Sequence, residues 1–427
     1  MTTLVNDTDR ATLLSSWRAQ HRADLAAHLA HHGPVPLPTV ADRSWAQWFA
    51  DSIERSGLTG RGGASFPSAA KLDAVRSARG RPVLVVNAME GEPASTKDEV
   101  LLTHVPHLVL DGAQLAAAAL RAGGIVVCVP DNRDSTARAL ARAVNERAHS
   151  ACAPVAVDIA RPPGRYITGE ESALVSWLSG GPAAPMFRIR RGEPLRLGRA
   201  PALVHNAETI AHMALIARYG PAAFRSHGLS DAPGTCLVTV SGTVSHPGVY
   251  EIPQGSSLRE ILGRARPRGD VTAVLVGGFG GTWLGNGALD TPYAPGPLAS
   301  VGASMGPGVL VVFPRDACGI AETARIASYM AGESAAQCGP CVFGLPAIAD
   351  DLAQLARGNA DAEALHRLEM RLDTVNGRGA CRHPDGAVRM ARSALSVFAS
   401  DAAAHAKRHP CPYRDRPSVL STTTAHG

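Results

Sequence analysis

The sequence predicts an α/β protein built in several parts. Three observations carry that prediction. The chain has 427 residues, more than a single core of ordinary size accommodates, so several packed domains are expected. Between about residues 57 and 228 short apolar strands alternate with helical patterns, the mark of a layered α/β fold with a parallel sheet. Beyond Ala321 only helical patterns remain, to about His405.

Taken in order, residues 1 to about 50 read as one or two polar helices, Arg10 to Leu29 and Trp45 to Ile53, joined by the proline-rich stretch Pro34 to Pro38. His21, His28, His31 and His32 fall here, and at helical spacing they are expected on the surface. Candidate strands follow at Pro82 to Asn87, Gly124 to Val129 and Pro154 to Ile159. Candidate helices are Ser68 to Ser77, Val109 to Ala122, Asp134 to Ala148 and Glu170 to Leu178. In such a sheet, ligands sit at the carboxyl ends of the strands. From about 233 to 315 the pattern changes to a small α+β module of ubiquitin-like size. Thr235 to Gly242 alternates as a strand, Pro247-Gly248 turns, Val249 to Ile252 returns and Ser257 to Leu262 starts a helix; Val274 to Gly277 and Gly308 to Phe313 add strands. The polar tail from Pro410 is expected to lack order.

Composition narrows the function classes. Apolar residues make up 45% and charged residues 19%, which excludes a disordered or fibrous chain. The 42 basic and 37 acidic residues are spread along the chain, so nucleic-acid binding is not indicated. Eight cysteines are too sparse for a disulfide scaffold. Cys338 and Cys341 form a C-x-x-C, which points to a reducing compartment and a metal or redox site. Asp7 and Asp9 stand where a leader would be apolar, and the longest apolar tract, Leu115 to Val129, is broken by Arg121, Gly123 and Gly124. A cytoplasmic protein with no membrane insertion of its own is expected.

Three loops concentrate unusual residues. In Gly57 to Lys71 (GLTGRGGASFPSAAK), glycines at 60, 62 and 63 let backbone N–H groups approach a phosphate, Arg61 adds charge and Lys71 lies on the helix opening at Ser68. The spacing is neither a Walker A loop nor G-x-G-x-x-G, and a glycine-rich turn is also often simply a turn. Strand 82–87 runs into Asn87-Ala-Met-Glu-Gly-Glu-Pro93, which puts Asn87, Glu90 and Glu92 at a buried strand end where each needs a partner. Tyr166-Ile-Thr-Gly-Glu-Glu-Ser172 repeats that chemistry at a helix start, where carboxylates are also ordinary dipole partners.

Together with Val204-His-Asn-Ala-Glu-Thr209, Ser241 to Tyr250 (SGTVSHPGVY) and Glu333 to Gly344 (ESAAQCGPCVFG), these loops resemble, in order from about 50 to 400, the NADH-oxidising flavoprotein (51 kDa, F-type) subunit of respiratory complex I and its relatives in NAD-linked hydrogenases and formate dehydrogenases. The resemblance implies an N-terminal helical segment (1–56), a Rossmann-like FMN and NADH domain (57–230), a ubiquitin-like SLBB-type domain (231–317), a helical iron–sulfur domain (318–408) and a tail (409–427). Carried over by residue, Gly60, Arg61, Gly62 and Lys71 would hold the FMN phosphate. Asn87, Glu90, Tyr166, Gly169, Glu170, Asn206 and Thr209 would line the ribityl chain and ring. Phe66, Phe187 and the catalytic candidates Glu92 and Glu171 would face the nicotinamide nucleotide. Hydride would pass from NAD(P)H to FMN and single electrons to the cluster and then to a ferredoxin-like or small iron–sulfur partner, within a membrane-associated complex.

The chain also departs from the family pattern. Met89 stands for an Asp, His205 for an Asn, Ala184 for a Lys and Ala74 for an aromatic. Ala74 and Ala184 lie on the side assigned to NADH, and a lost aromatic could remove about 1 kcal/mol of stacking. In the cluster loop Ala335 replaces a cysteine, leaving Cys338, Cys341 and Cys381. Three thiolates do not close an all-cysteine 4Fe–4S site. The options are a 3Fe–4S cluster, a 4Fe–4S cluster with a fourth ligand such as His383 or Asp385, a Cys3His zinc ion, or no metal. Cys318 is expected to be packed core, and Cys128, Cys152, Cys236 and Cys411 have no partner at ligand spacing. An electron-transfer subunit without direct NADH oxidation and a non-catalytic structural subunit are the alternative functions.

Overall fold

The computed structural model describes residues 10–38, 43–148, 150, 152–187, 193–361 and 363–420. The expectations for residues 1–9 and for the end of the tail, 421–427, lie outside them. The helices are α1 Ser15–Gln20, α2 Leu25–His32, α3 Arg43–Ser56, α4 Ser68–Arg76, α5 Lys97–His104, α6 Pro106–Leu120, α7 Asp134–Arg147, α8 Glu171–Leu178, α9 Ala207–Arg225, α10 Leu258–Ala265, α11 Pro295–Ser300, α12 Gly319–Gly332, α13 Leu345–Arg357, α14 Ala364–Val375, α15 His383–Val397 and α16 Ala399–Ala406. The strands are β1 Val83–Asn87, β2 Ile125–Cys128, β3 Val157–Ala160, β4 Leu195–Leu197, β5 Ala200–Asn206, β6 Thr235–Gly242, β7 Gly248–Pro253, β8 Val271–Val276, β9 Thr282–Gly285 and β10 Val309–Pro314.

The chain divides into two units: 1–91 with 96–238 and 249–256, and 92–95 with 239–248 and 257–427. The first unit holds a sheet in the order β3-β2-β1-β5-β4. Its pairs are parallel except for the short edge strand β4, which runs antiparallel to β5. Runs such as Val-Leu-Val-Val in β1 suit a strand buried on both faces: Leu84 and Val86 join the large cluster with α6 and α9, whereas Val85 packs with Val204, Leu174 and Met89 on the other side. The Met89 side chain fills an apolar layer there.

Helix α6 is buried almost all round. Gly112 lets it lie against α9, since a Cβ there would sit 1.9 Å from the Ile210 carbonyl oxygen. Its one carboxylate, Asp111, gathers Arg147, Arg218 and His28. The surface expectation for the N-terminal histidines is thereby corrected for His28 and His32, which are buried. His28 Nε2 lies 2.8 Å from Asp111, so a polar-looking helix is anchored to a buried carboxylate that Arg147 and Arg218 also pair. The single helix expected from Arg10 is two short ones. His21, in the left-handed conformation, ends α1, and Asp24 caps α2 through the Ala27 N–H.

The second sheet has the order β7-β6-β10-β8-β9, and the unit division runs through β6 and β7. β10 pairs parallel with β6 and antiparallel with β8. A Ser257–Glu260 capping box starts α10. Helices α12 to α16 complete the second unit. Part of the tail differs from expectation: residues 410–420 pack along α12, where Leu420 is buried and its N–H donates to Glu322 at 2.9 Å. Polar composition hid this, because one buried leucine and its backbone bonds hold the segment.

Candidate functional site

β1 and β5 end in register at Asn87 and Asn206, so two polar residues leave the sheet side by side at its carboxyl edge. The Asn206 amide donates to the Asn87 carbonyl (3.1 Å) and to Asp98 (2.7 Å), and its oxygen caps α9 through the Glu208 N–H. The Asn87 amide reaches the Gly169 carbonyl at 3.0 Å, which links the first acidic loop to the second. Gly91 permits that approach, because a Cβ would meet the Arg165 carbonyl at 2.8 Å.

The glycine loop closes on itself through Gly60 N–H to the Phe66 carbonyl (2.8 Å) and is pinned to α9 by Arg61 N–H to Thr209 Oγ1 (2.9 Å). The backbone N–H groups of Gly62, Gly63 and Ala64 meet no acceptor among the described residues. They are left for an anion. Two fully buried hydroxyls at the same loops, Ser68 and Thr168, also lack a partner. Orphaned donors of this kind fit a phosphate-bearing polar ligand such as FMN.

Several residues expected to touch that ligand are occupied by the protein itself. The Arg61 guanidinium is buried and donates to Thr59, Pro233 and Thr235, so it braces the 233–235 loop; burial lowers its pKa. Glu90 accepts the N–H groups of Asp98 and Glu99 at 3.0 and 3.1 Å and caps α5. Glu170 caps α8 through Ala173 N–H and takes the Ser172 hydroxyl. Glu92 belongs to the second unit, where its oxygens accept from Ala94 (3.2 Å) and Phe279 (2.9 Å). A carboxylate takes the nearest unpaired N–H, and these loops supply their own.

The remaining residues of the set lie on the same loops and helix starts. Lys71 pairs with Glu171 and donates to the Val204 carbonyl at 2.7 Å. Phe66 and Phe187 are 50% and 81% exposed, large costs for aromatic rings unless a ligand covers them. The Phe187 loop is held near the start of α8 by Met186 N–H to Ser172 Oγ at 3.0 Å. Tyr166 lies half-buried in the short turn of 3-10 helix before α8.

Beneath the loops sits a buried charge network that sequence reasoning missed. Lys97 is 2.9 Å from Asp98, from Glu208 and from Asn206. Burial opposes its charge, but the two carboxylates outweigh it and hold the ammonium above its usual pKa. Glu208 falls within the Val204 to Thr209 motif, and Lys97-Asp98 follows the first acidic loop; nothing local marks them as partners. His205 is buried and held neutral by burial and by Lys71.

In the second unit Cys341 is buried, and burial together with Cys338 and Cys381 pushes its thiol up to about 12. The three thiols are therefore neighbours. Of the two side chains considered as a fourth ligand, His383 contacts the Met330 carbonyl through Nε2 at 2.7 Å while its buried Nδ1 has no hydrogen-bond partner, and Asp385 accepts from Gly377 N–H and Arg382. Among the described residues no group of three or more His, Cys, Asp or Glu side chains has the geometry of a bound metal ion. Ala336, in the same loop, has φ 50°.

Residues 53–215 match the family model described as the Nuo51 FMN-binding domain, and residues 321–405 match the NADH-ubiquinone oxidoreductase-F iron-sulfur binding region. An NADH-quinone oxidoreductase F subunit of Rhizobium meliloti, the one numbered 2, is 32% identical over 375 residues, 84% of this chain and 89% of that protein. The F subunit of the Streptomyces coelicolor NADH-quinone oxidoreductase is 31% identical over 375 residues, covering 84% and 83%. An NAD+-reducing NiFe-hydrogenase in the H2-reduced state superposes with a TM-score of 0.80 at 30% identity, over 92% of this chain and 68% of that one. Among the described residues no helix is long and apolar enough to cross a membrane.

Proposed function

Because the chain belongs to the family of NADH-quinone oxidoreductase F subunits, we propose that the carboxyl edge of the first sheet seats FMN and NADH. Its chemistry is FMN- and iron–sulfur-dependent electron transfer from NADH. When bound, FMN supplies the conversion of a hydride into single electrons. The protein's part is to orient the donor and to shield the site from water.

The N–H groups of Gly62, Gly63 and Ala64 receive the phosphate, with the α4 N-terminus and Lys71 behind them. Asn87 and Asn206 fix the ends of the loops that would hold the flavin, and Gly169 lets the second acidic loop lie against the Met89 carbonyl. Phe66 and Phe187 cover the nicotinamide nucleotide, with the Lys71–Glu171 pair between their loops. Glu90, Glu92, Glu170 and Arg61 act by holding loops in shape. A Rossmann-like domain, an SLBB-type module and a C-terminal helical bundle are the finer architecture that this reading assumes.

The observation that carries the proposal is the exposure of Phe66 and Phe187 on loops whose neighbouring helices, α4 and α8, are joined by the Lys71–Glu171 pair. The test is anaerobic addition of NADH to the purified yellow protein, with bleaching of the flavin band expected. If millimolar NADH leaves the flavin oxidised, direct oxidation is wrong and the chain relays electrons between proteins, the reading that Ala74 and Ala184 favour. For the cluster, three thiolates from Cys338, Cys341 and Cys381 support a 3Fe–4S cluster or a 4Fe–4S cluster whose fourth iron has a ligand other than cysteine. The acceptor is a small iron–sulfur protein or ferredoxin-like partner of a membrane-associated, cytoplasmic complex.

A further inference from the structure

Cys318 and Cys411 lie far apart in the sequence, yet both stand against one imidazole. Cys318 is the N-cap of α12, and its sulfur accepts the Ala321 N–H at 3.4 Å. That same sulfur is 3.4 Å from His405 Nε2. His405 is fully buried and donates from Nδ1 to the Leu355 carbonyl at 3.0 Å, so its Nε2 is the lone-pair face. The Cys411 N–H points at that face from 3.1 Å, and the Cys411 sulfur accepts the Tyr413 N–H at 3.4 Å.

The two thiols interact: burial, with a contribution from Cys411, raises the Cys318 pKa to about 11. They differ in access, because Cys318 is buried whereas Cys411 is half-exposed. The tail that carries Cys411 is fastened at two points just after it. Arg414 donates to the Arg357 carbonyl, and the Arg416 carbonyl accepts from Arg325. Neither cysteine has a place in the flavin loops or among the three cluster thiols. Two cysteines set against one buried imidazole are a setting for thiol chemistry.

We propose that Cys411 and Cys318 are a peroxide-reactive dithiol that closes to a disulfide. The Cys411 sulfur attacks hydrogen peroxide; the O–O bond breaks, an S–O bond forms, and the departing oxygen leaves as water with the thiol proton. Cys318 sulfur then attacks the sulfenic sulfur; the S–O bond breaks, the S–S bond forms and a second water leaves. Two thiols lose two electrons and two protons, and one peroxide becomes two waters. His405 Nε2 faces the Cys318 sulfur and the Cys411 backbone N–H, and is the base that takes the Cys318 thiol proton as the disulfide closes and passes it to the departing hydroxyl. Burial of Cys318 suits the resolving role, because it meets only the partner that the fold brings to it.

The test uses the full-length holoprotein. Reduced protein is treated with stoichiometric hydrogen peroxide, alkylated and digested without reductant, and the peptides are weighed. A linked peptide pair containing Cys318 and Cys411, lighter by two hydrogens than the separate thiol peptides and released by dithiothreitol, is expected. In Cys318→Ser the Cys411 sulfenic acid should persist and be trapped by dimedone; in Cys411→Ser no linked pair should form. Recovery of both peptides separately alkylated after peroxide overturns the proposal. So does Cys411 that proceeds to sulfinic acid in the wild-type chain without linking.

Discussion

The Lys97 ammonium lies 2.9 Å from the Glu208 carboxylate, with both side chains buried behind Asn206. Asp98 completes the group. Two acids and one cation share a site that also positions the ends of β1 and β5. Lys97→Met should therefore cost about 3–5 kcal/mol, the usual penalty for leaving buried carboxylates without a counter-charge. Urea unfolding followed by far-UV circular dichroism reads it, and an unchanged midpoint means that the network does not exist in solution.

Glu92→Gln replaces one of two accepting oxygens with an amide NH2 facing a backbone N–H. The loss expected is about 1–3 kcal/mol, seen as a lower melting temperature. A selective loss of NADH reduction at unchanged stability would instead return Glu92 to the nicotinamide side.

Gly112→Ala places a methyl group 1.9 Å from the Ile210 carbonyl oxygen, which is backbone and unable to turn aside. Separation of α6 from α9 should cost about 2–3 kcal/mol. Equal stability of variant and wild type in denaturant titration contradicts the close approach.

Acid should weaken the first unit in two stages. His107 and His32 are held neutral by burial, at about 3 and about 2. The unfolded chain therefore binds their protons first, and stability starts to fall as pH drops below the ordinary histidine range near 6.5. Burial raises the Asp111 pKa, but His28, Arg147 and Arg218 outweigh it and hold the carboxyl at about 2. Its contribution, about 2 kcal/mol, is present above pH 3.8 and lost as pH falls toward 2. Denaturant midpoints measured from pH 7 to 3 should decline throughout; a flat profile between 7 and 5 contradicts buried, neutral histidines.

Ala335→Cys supplies a fourth thiolate to the cluster loop, so iron and sulfide content per chain should rise and the EPR signal of the reduced protein should change type. Identical content in variant and wild type means that the fourth position is already filled.

Local signals sufficed for the elements whose residues declare themselves. The Val-rich runs of β1 and β2 and the glycine loop were legible because periodicity and backbone freedom act within a few residues. What lay beyond the sequence was the choice of partner. Glu90 and Glu170 each cap a helix, and Arg61 braces a loop some 170 residues away, contacts that no local pattern announces. Cys411 had no neighbour in sequence, and the fold brings it to His405. Sequence alone determined which chemical groups this protein owns and the order of its layers. Tertiary structure decided which of those groups are used up inside the protein and which are left open, because a buried hydrogen bond is set by whatever the packed chain brings within about 3 Å.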